Sequence, residues 1–136
     1  MAGKSTYLED KLLNWMKGTA FGTAPTTVYV ALFTVAPADD GTGGTEVSGN
    51  AYARQPITTS SGWTGPSTGT TPHTLSNAAV ITFPTPTGSW GTIAAVGIYD
   101  ASTAGNLLYW VGGLSQAIAS GVVASFAIGA LVISED

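Results

Sequence analysis

His73 is the only histidine in this chain of 136 residues, and with Asp100 and one of many serines it would supply the residue types of a nucleophilic hydrolase. The frame for that chemistry is missing. No Gly-x-Ser-x-Gly elbow presents a serine, and His73 stands in the Thr/Pro-rich run Thr71-Pro72-His73-Thr74, where an exposed loop histidine is expected. Carboxylates pair at Asp39-Asp40, with Glu46 nearby. Glycoside hydrolysis needs two carboxyl groups facing a cleft at a set separation, which neighbours in one turn do not supply. The segment from Asp39 to Glu46 could hold a calcium ion weakly, but it lacks the alternating acidic spacing of an EF-hand loop, so a solvated turn is expected. Its glycines make no phosphate cradle, because no lysine follows and no helix opens after them. Four tryptophans and five tyrosines could line a sugar platform. Trp63, placed in a loop, is the best candidate; Trp90 and Trp110 flank or sit within strands and are expected in the core. With no cysteine, thiol catalysis, thiolate metal sites and disulfides are excluded. These residues predict no enzyme, no cofactor and no metal centre.

Charge is the more telling chemistry. Only 9% of residues are charged, against about a quarter in a typical soluble domain. Lys4, Glu9, Asp10, Lys11 and Lys17 crowd the first seventeen positions, and the rest of the chain carries only Asp39, Asp40, Glu46, Arg54, Asp100, Glu135 and Asp136. A surface so poor in charge has little electrostatic protection against association. It suits a subunit packed against copies of itself or other proteins, and predicts a homo-oligomer, dimer or trimer. Arg54 is the lone cation of the body and is expected to hold a fixed carboxylate, Glu46 or Asp100. The near absence of positive charge beyond Lys17 disfavours nucleic acid, which needs Lys and Arg to neutralise phosphates.

The elements that must position these groups fall into two parts. Residues 5–17 read as one amphipathic helix. Thr6-Tyr7-Leu8-Glu9 has the form of a capping box; Leu8, Leu12 and Trp15 recur at helical spacing with Met16 beside them; Gly18 can close the helix. This apolar stripe makes Leu8, Leu12, Trp15 and Met16 interface candidates, either on the chain's own body or on a neighbouring subunit, since an isolated helix this short is marginal in water. The remainder is punctuated β. Residues 26–34 alternate with both faces apolar, as a central strand does. Further strands are predicted at 51–59, 78–83, 92–99, 107–111 and 122–133, with 60–73 as the longest loop and 100–106 as a hairpin turn. The fold class expected is mainly β, an antiparallel β-sandwich body over residues 21–136 preceded by a helical arm over 1–20. The N-terminus lacks the apolar region of a secretory signal, and the longest apolar stretch, 121–133, is too short to span a bilayer. The chain is therefore expected to be soluble and unprocessed, with no membrane partner.

The ordered blocks resemble a family of small tailed-phage virion proteins often labelled tail-fibre-like. They are Val28-Tyr29-Val30-Ala31-Leu32-Phe33-Thr34, the acidic Gly-rich turn, Gly44-Thr45-Glu46-Val47-Ser48-Gly49, Tyr52-Ala53-Arg54-Gln55, Asn77-Ala78-Ala79-Val80-Ile81-Thr82-Phe83-Pro84, Trp90-Gly91-Thr92-Ile93, Gly97-Ile98-Tyr99-Asp100-Ala101 and Gly105-Asn106-Leu107-Leu108-Tyr109. The series covers nearly the whole chain apart from the loop at 61–74. The resemblance implies a virion location, on the outer surface of the head or on the tail, and no catalysis. The chain is also similar to the small β-sandwich cement proteins that decorate phage capsids. The leading expectation is a cement or decoration protein that binds itself and the major capsid protein or other virion subunits. The alternative is a tail-fibre or receptor-binding module.

Overall fold

The structure, a computed structural model, describes residues 2–69 and 71–135; Thr70, within the predicted long loop, lies outside them. In chain order the elements are β1 (Ala2–Lys4), α1 (Thr6–Met16), β2 (Thr27–Val35), β3 (Thr45–Glu46), β4 (Gln55–Thr58), β5 (Trp63–Thr64), β6 (His73–Asn77), β7 (Ile81–Thr82), β8 (Gly91–Ile93), β9 (Ala95–Tyr99), β10 (Leu107–Val111), β11 (Gln116–Ile118), β12 (Ser125–Phe126) and β13 (Val132–Glu135). All strand pairs are antiparallel. The protein is mainly β with one short helix near its N-terminus, and none of the described helices is long and apolar enough to cross a membrane.

The central strand is β2. Its β-branched and aromatic residues favour a pleated backbone, and its nine residues give it room for three partners. One edge runs along β9; the other is shared by β4 near its start and β3 near its end. With β10 and then β1 beyond β9, they form a six-stranded sheet. Alternation sends Val28, Val30 and Leu32 to one face, where they meet Ile81, Phe83, Trp90, Ile93, Ile118 and Leu131 from the short ladders β7–β12, β8–β11 and β5–β6–β13. This is the main core of a sandwich-like body. The opposite face carries a smaller cluster of Ala31, Phe33, Ala95, Tyr99 and Leu107. Gly97 lies between strands there. A Cβ on it would stand 3.0 Å from the Leu107 side chain and 3.1 Å from the Phe33 ring, so the missing side chain lets both close over β9.

Sequence periodicity places the largest elements and misjudges the small ones. The stretch 92–99 is two strands broken at Ala94, whose N–H donates to Phe33 O while its carbonyl accepts from Leu114 N. The stretch 122–133 is not one strand but β12 and the start of β13, pairing with different partners. The strands at 51–59 and 78–83 shrink to Gln55–Thr58 and Ile81–Thr82. The predicted loop gains β5, and β6 begins at its last residue, His73.

Candidate functional site

Arg54 sits half-buried just before β4, with a side chain only 7% exposed. Its Nε and Nη2 donate to the two oxygens of Glu46 on β3, each at 2.8 Å, in the bidentate geometry that suits a guanidinium. Its Nη1 donates to the carbonyls of Ala101 and Ala104, also at 2.8 Å. The guanidinium carbon lies 3.8 Å from the centre of the Tyr99 ring, a cation–π contact. Glu46 accepts a further bond from the Tyr52 hydroxyl at 2.8 Å, and that hydroxyl accepts from Leu32 N at 3.0 Å. The chain of bonds therefore runs from the backbone of β2 through Tyr52, Glu46 and Arg54 to the turn after β9. Burial alone would lower the Arg54 pKa, but the hydrogen bonds and charge of Glu46 outweigh it and the net shift is upward. Burial pushes the Tyr52 and Tyr99 hydroxyls up, so both stay protonated.

Asp100, the other carboxylate expected to meet Arg54, does not pair with it. Its two oxygens accept from the Asn106 backbone N–H at 2.7 Å and side-chain amide at 2.8 Å. They brace a turn in which Ala104 and Gly105 adopt positive φ of 50° and 75°, and that turn presents the two carbonyls to Arg54. Asp100 thus shapes the acceptors rather than serving as one.

The arm is built differently. β1 adds to the β10 edge of the sheet. Ser5 is fully buried: its backbone N–H donates to Leu108 O at 2.8 Å, and its hydroxyl donates to Leu107 O while accepting from Leu8 N at 3.3 Å. Ser5 is therefore the N-cap, one residue ahead of the predicted Thr6. The tertiary bond to β10 fixes it there, and Thr6 N donates instead to Asp39 O at 2.9 Å. Lys4 pairs with Glu135, which also accepts from the Tyr109 hydroxyl at 2.7 Å. Burial would raise the Glu135 pKa; the hydrogen bonds from Lys4 and Tyr109 outweigh it and hold the carboxyl below its ordinary value. At its other end the helix closes with Gly18 N donating to Trp15 O and Thr19 N to Asn14 O, the paired bonds of a Schellman motif, with Gly18 at φ 89°.

Between these ends α1 has no buried residue. Of the stripe, Leu8 is half-buried and Leu12, Trp15 and Met16 are exposed, as is Leu13 beside them. The structure thus brings Arg54 and Glu46 together, leaves Asp100 to a separate task, and holds the apolar end of the helix away from the core.

The remaining candidates disperse. His73 is exposed on β6, its Nδ1 donating to Ser67 O at 2.9 Å. Asp39 accepts from the Trp110 indole at 2.9 Å, Asp40 accepts from Thr42, and Glu46 is taken by Arg54. Both bonds from Thr42 hold the exposed Asp40 carboxyl below its usual range. Among the described residues no three metal-ligating side chains converge. Trp63 is not a loop platform but a residue of β5 packed against the core, and Trp90 is buried with its indole on Asn50 O at 2.9 Å. Sequence reading passed over Asn77, which is 1% exposed. Its amide donates to Ala79 O and Ala127 O and accepts from Leu131 N, at 2.8–2.9 Å, tying the end of β6 to the connection between β12 and β13. A polar residue opening the run Asn77-Ala78-Ala79-Val80-Ile81 was its only signal.

No curated protein matches the chain. The sequence profile of the family described as Podophage GP4 fiber I protein gp80 matches residues 3–134, from β1 into β13, and so takes in the arm, the Arg54 cluster and the whole sheet system. On that span the chain belongs to the podophage GP4 fiber I protein gp80 family, and it is a structural protein of the phage virion.

Proposed function

We propose that this chain is a non-enzymatic subunit of a tail fibre, joined to copies of itself and to other virion proteins through apolar and hydroxyl-rich surface. The family match over residues 3–134 carries the reading. It supports a fibre role better than the capsid-cement role that charge scarcity first suggests, because scarcity of charge suits any packed subunit. The side chains support it too. The groups with chemical potential are engaged in holding the fold: Arg54 and Glu46 on each other, Asp100 on Asn106, Asp39 on Trp110. The exposed large apolar residues, by contrast, gather on α1 and on the segment 114–132. Weak contacts repeated over several symmetry-related copies give a fibre its cohesion. Nucleic acid and membrane have no part in this reading.

The test is location and number. Antibody labelling of virions with copy counting by quantitative mass spectrometry should put the protein on the tail at a few to a few tens of copies. Hundreds of copies over the head would overturn the fibre reading in favour of capsid decoration.

A further inference from the structure

The arm is fastened to the body over one short stretch, and the segment that joins it to β2 holds nothing. β1 lies on the outer edge of β10. Ser5 follows, with its N–H on Leu108 O and its hydroxyl on Leu107 O; Lys4 pairs with Glu135, and Thr6 N donates to Asp39 O. These anchors all fall within residues 2–6. Of α1 only Leu8 and Lys11 are half-buried, and residues 12–26 are exposed without exception. Residues 20–24 make no hydrogen bond with any described residue. A cavity of about 360 Å³ opens between Tyr7 and Lys11 of α1 and the returning segment 21–25. The β10 edge, by contrast, is a poor strand to leave bare. Leu107-Leu108-Tyr109-Trp110-Val111 has neither the charge nor the proline that guards an edge against pairing with another chain. What fits this edge is on view in the fold: it is β1 with Ser5.

We propose that copies of this protein exchange arms as they assemble, β1 and Ser5 of one copy seating on β10 of a second. This rests on the self-association proposed above and names its contact. The occupant is the segment that the β10 edge already takes, and each anchoring bond is the same whether the arm comes from its own body or from a neighbour. Exchange of an identical element is for that reason a low-cost route to an oligomer. The choice between own body and neighbour therefore falls to the connecting segment. Folding back on its own body brings residues 20–24 no backbone bond, so the closed form keeps only the advantage of proximity. For a short flexible link that advantage is an effective concentration of about millimolar. Subunits held side by side in a fibre present their β10 edges at a comparable concentration, and the contacts between adjoining bodies tip the balance toward exchange. Reach is sufficient: residues 18–26 extend to about 30 Å at ~3.3 Å per residue. Reciprocal exchange closes a pair, and passing each arm onward closes a ring. In both, a strand of one chain completes the six-stranded sheet of another.

A chain without cysteine makes the test direct. Lys4 faces Tyr109 in the register of β1 and β10. Lys4→Cys and Tyr109→Cys are made in separate chains carrying different tags, co-expressed, purified together and oxidised. Each change removes a partner of Glu135, whose side chain is 39% exposed, so both variants are expected to fold, which near-ultraviolet circular dichroism checks. Neither chain can form the cross-strand disulfide by itself. Exchange should therefore join one chain of each kind, doubling the mass on a non-reducing gel. The double variant in one chain should likewise give linked chains. An intrachain disulfide confined to single chains of the double variant, or no disulfide between the co-expressed variants, overturns exchange. Sedimentation velocity of wild-type protein separates the two failures. If it runs as an oligomer while the disulfide stays within chains, self-association stands and arm exchange falls. If it runs as a monomer at all concentrations, self-association itself fails. Ala2→Cys with Val111→Cys, two steps along the same register, repeats the test at an independent pair and must give the same pattern.

Discussion

The Arg54 cluster and the helical arm are the two most polarised regions of the molecule, and they are finished to different degrees. Around Arg54 four N–H donors, a carboxylate, a phenol and two turn carbonyls satisfy one another inside a single chain. On α1 the polar ends are closed by Ser5 and by the Schellman motif, while of the apolar face between them only Leu8 is half-buried and Leu12, Trp15 and Met16 stay exposed. Buried polar groups left without partners are expensive, so a chain with few charges has to settle each one within its own fold. Exposed apolar surface is tolerated in a monomer and becomes useful when a partner covers it. The contrast teaches where to look in such a protein: the charged cluster reports on folding, and the apolar face reports on assembly.

Mutation should separate the two. Arg54→Ala strands Glu46 beside Tyr52 and empties two turn carbonyls, so it should destabilise the monomer by about 3 kcal/mol, or on the order of 10 °C in melting temperature for a domain of this size. Arg54→Lys should recover only part, because an ammonium cannot span both Glu46 oxygens and both carbonyls. A calorimetric scan checks both, and an unchanged melting temperature in Arg54→Ala would erase the distinction drawn here.

Ser5→Ala should come next, at about 1–2 kcal/mol, since it removes the helix cap and a buried bond to Leu107. Its loss should appear first as faster amide exchange in β1 and α1, with β2 and β9 unaffected. Trp15→Ala should change the stability of the isolated subunit by less than about 1 kcal/mol, as exposed positions generally do, and yet reduce self-association. A loss of 3 kcal/mol or more in the monomer would mean that the helix packs on its own body after all.

The smallest effect is that of acid on the arm. The Glu135 pKa is lowered in the folded protein relative to its ordinary 4.5. Its contribution is therefore present above 4.5 and fades as pH falls through the depressed value. Arm protection, read by hydrogen exchange, should decline below about pH 4.5 in wild type and lose that dependence in Glu135→Gln.

Sequence made the long elements legible and left the short ones obscure. β2 could be seen because nine alternating residues carry both faces, and β10 because Leu107–Val111 is an unbroken apolar run after a turn. The arm helix had a periodic face and a closing glycine. β1, β6 and β11 gave no such sign: three to five residues rich in Gly, Ser, Thr or Gln are strands only because distant backbones pair with them. The same tertiary pull moved the cap from Thr6 to Ser5, since the Leu107 carbonyl is a partner that local sequence does not announce. The pairing of Arg54 with Glu46 was one of two choices read from charge scarcity. The turn carbonyls that complete the cluster were invisible, because any residue can offer one. Asn77 was missed for a like reason: it bonds almost entirely to backbone.

The clasp on Arg54 also governs how the protein meets proteases. Trypsin cuts after lysine or arginine, and from Gln55 to Asp136 the chain has neither. Its sites are Lys4, Lys11, Lys17 and Arg54. Lys17 is exposed at the end of the helix, whereas the Arg54 side chain is held by Glu46, Tyr99 and two carbonyls and cannot enter a protease pocket while the fold is intact. Digestion of the native protein should therefore clip the arm and spare the body. A cut after Lys17 would still leave the arm in place, because β1 stays paired with β10, Ser5 stays buried against Leu107 and Leu108, and Lys4 holds Glu135, so the product is a nicked subunit that keeps its arm until it unfolds.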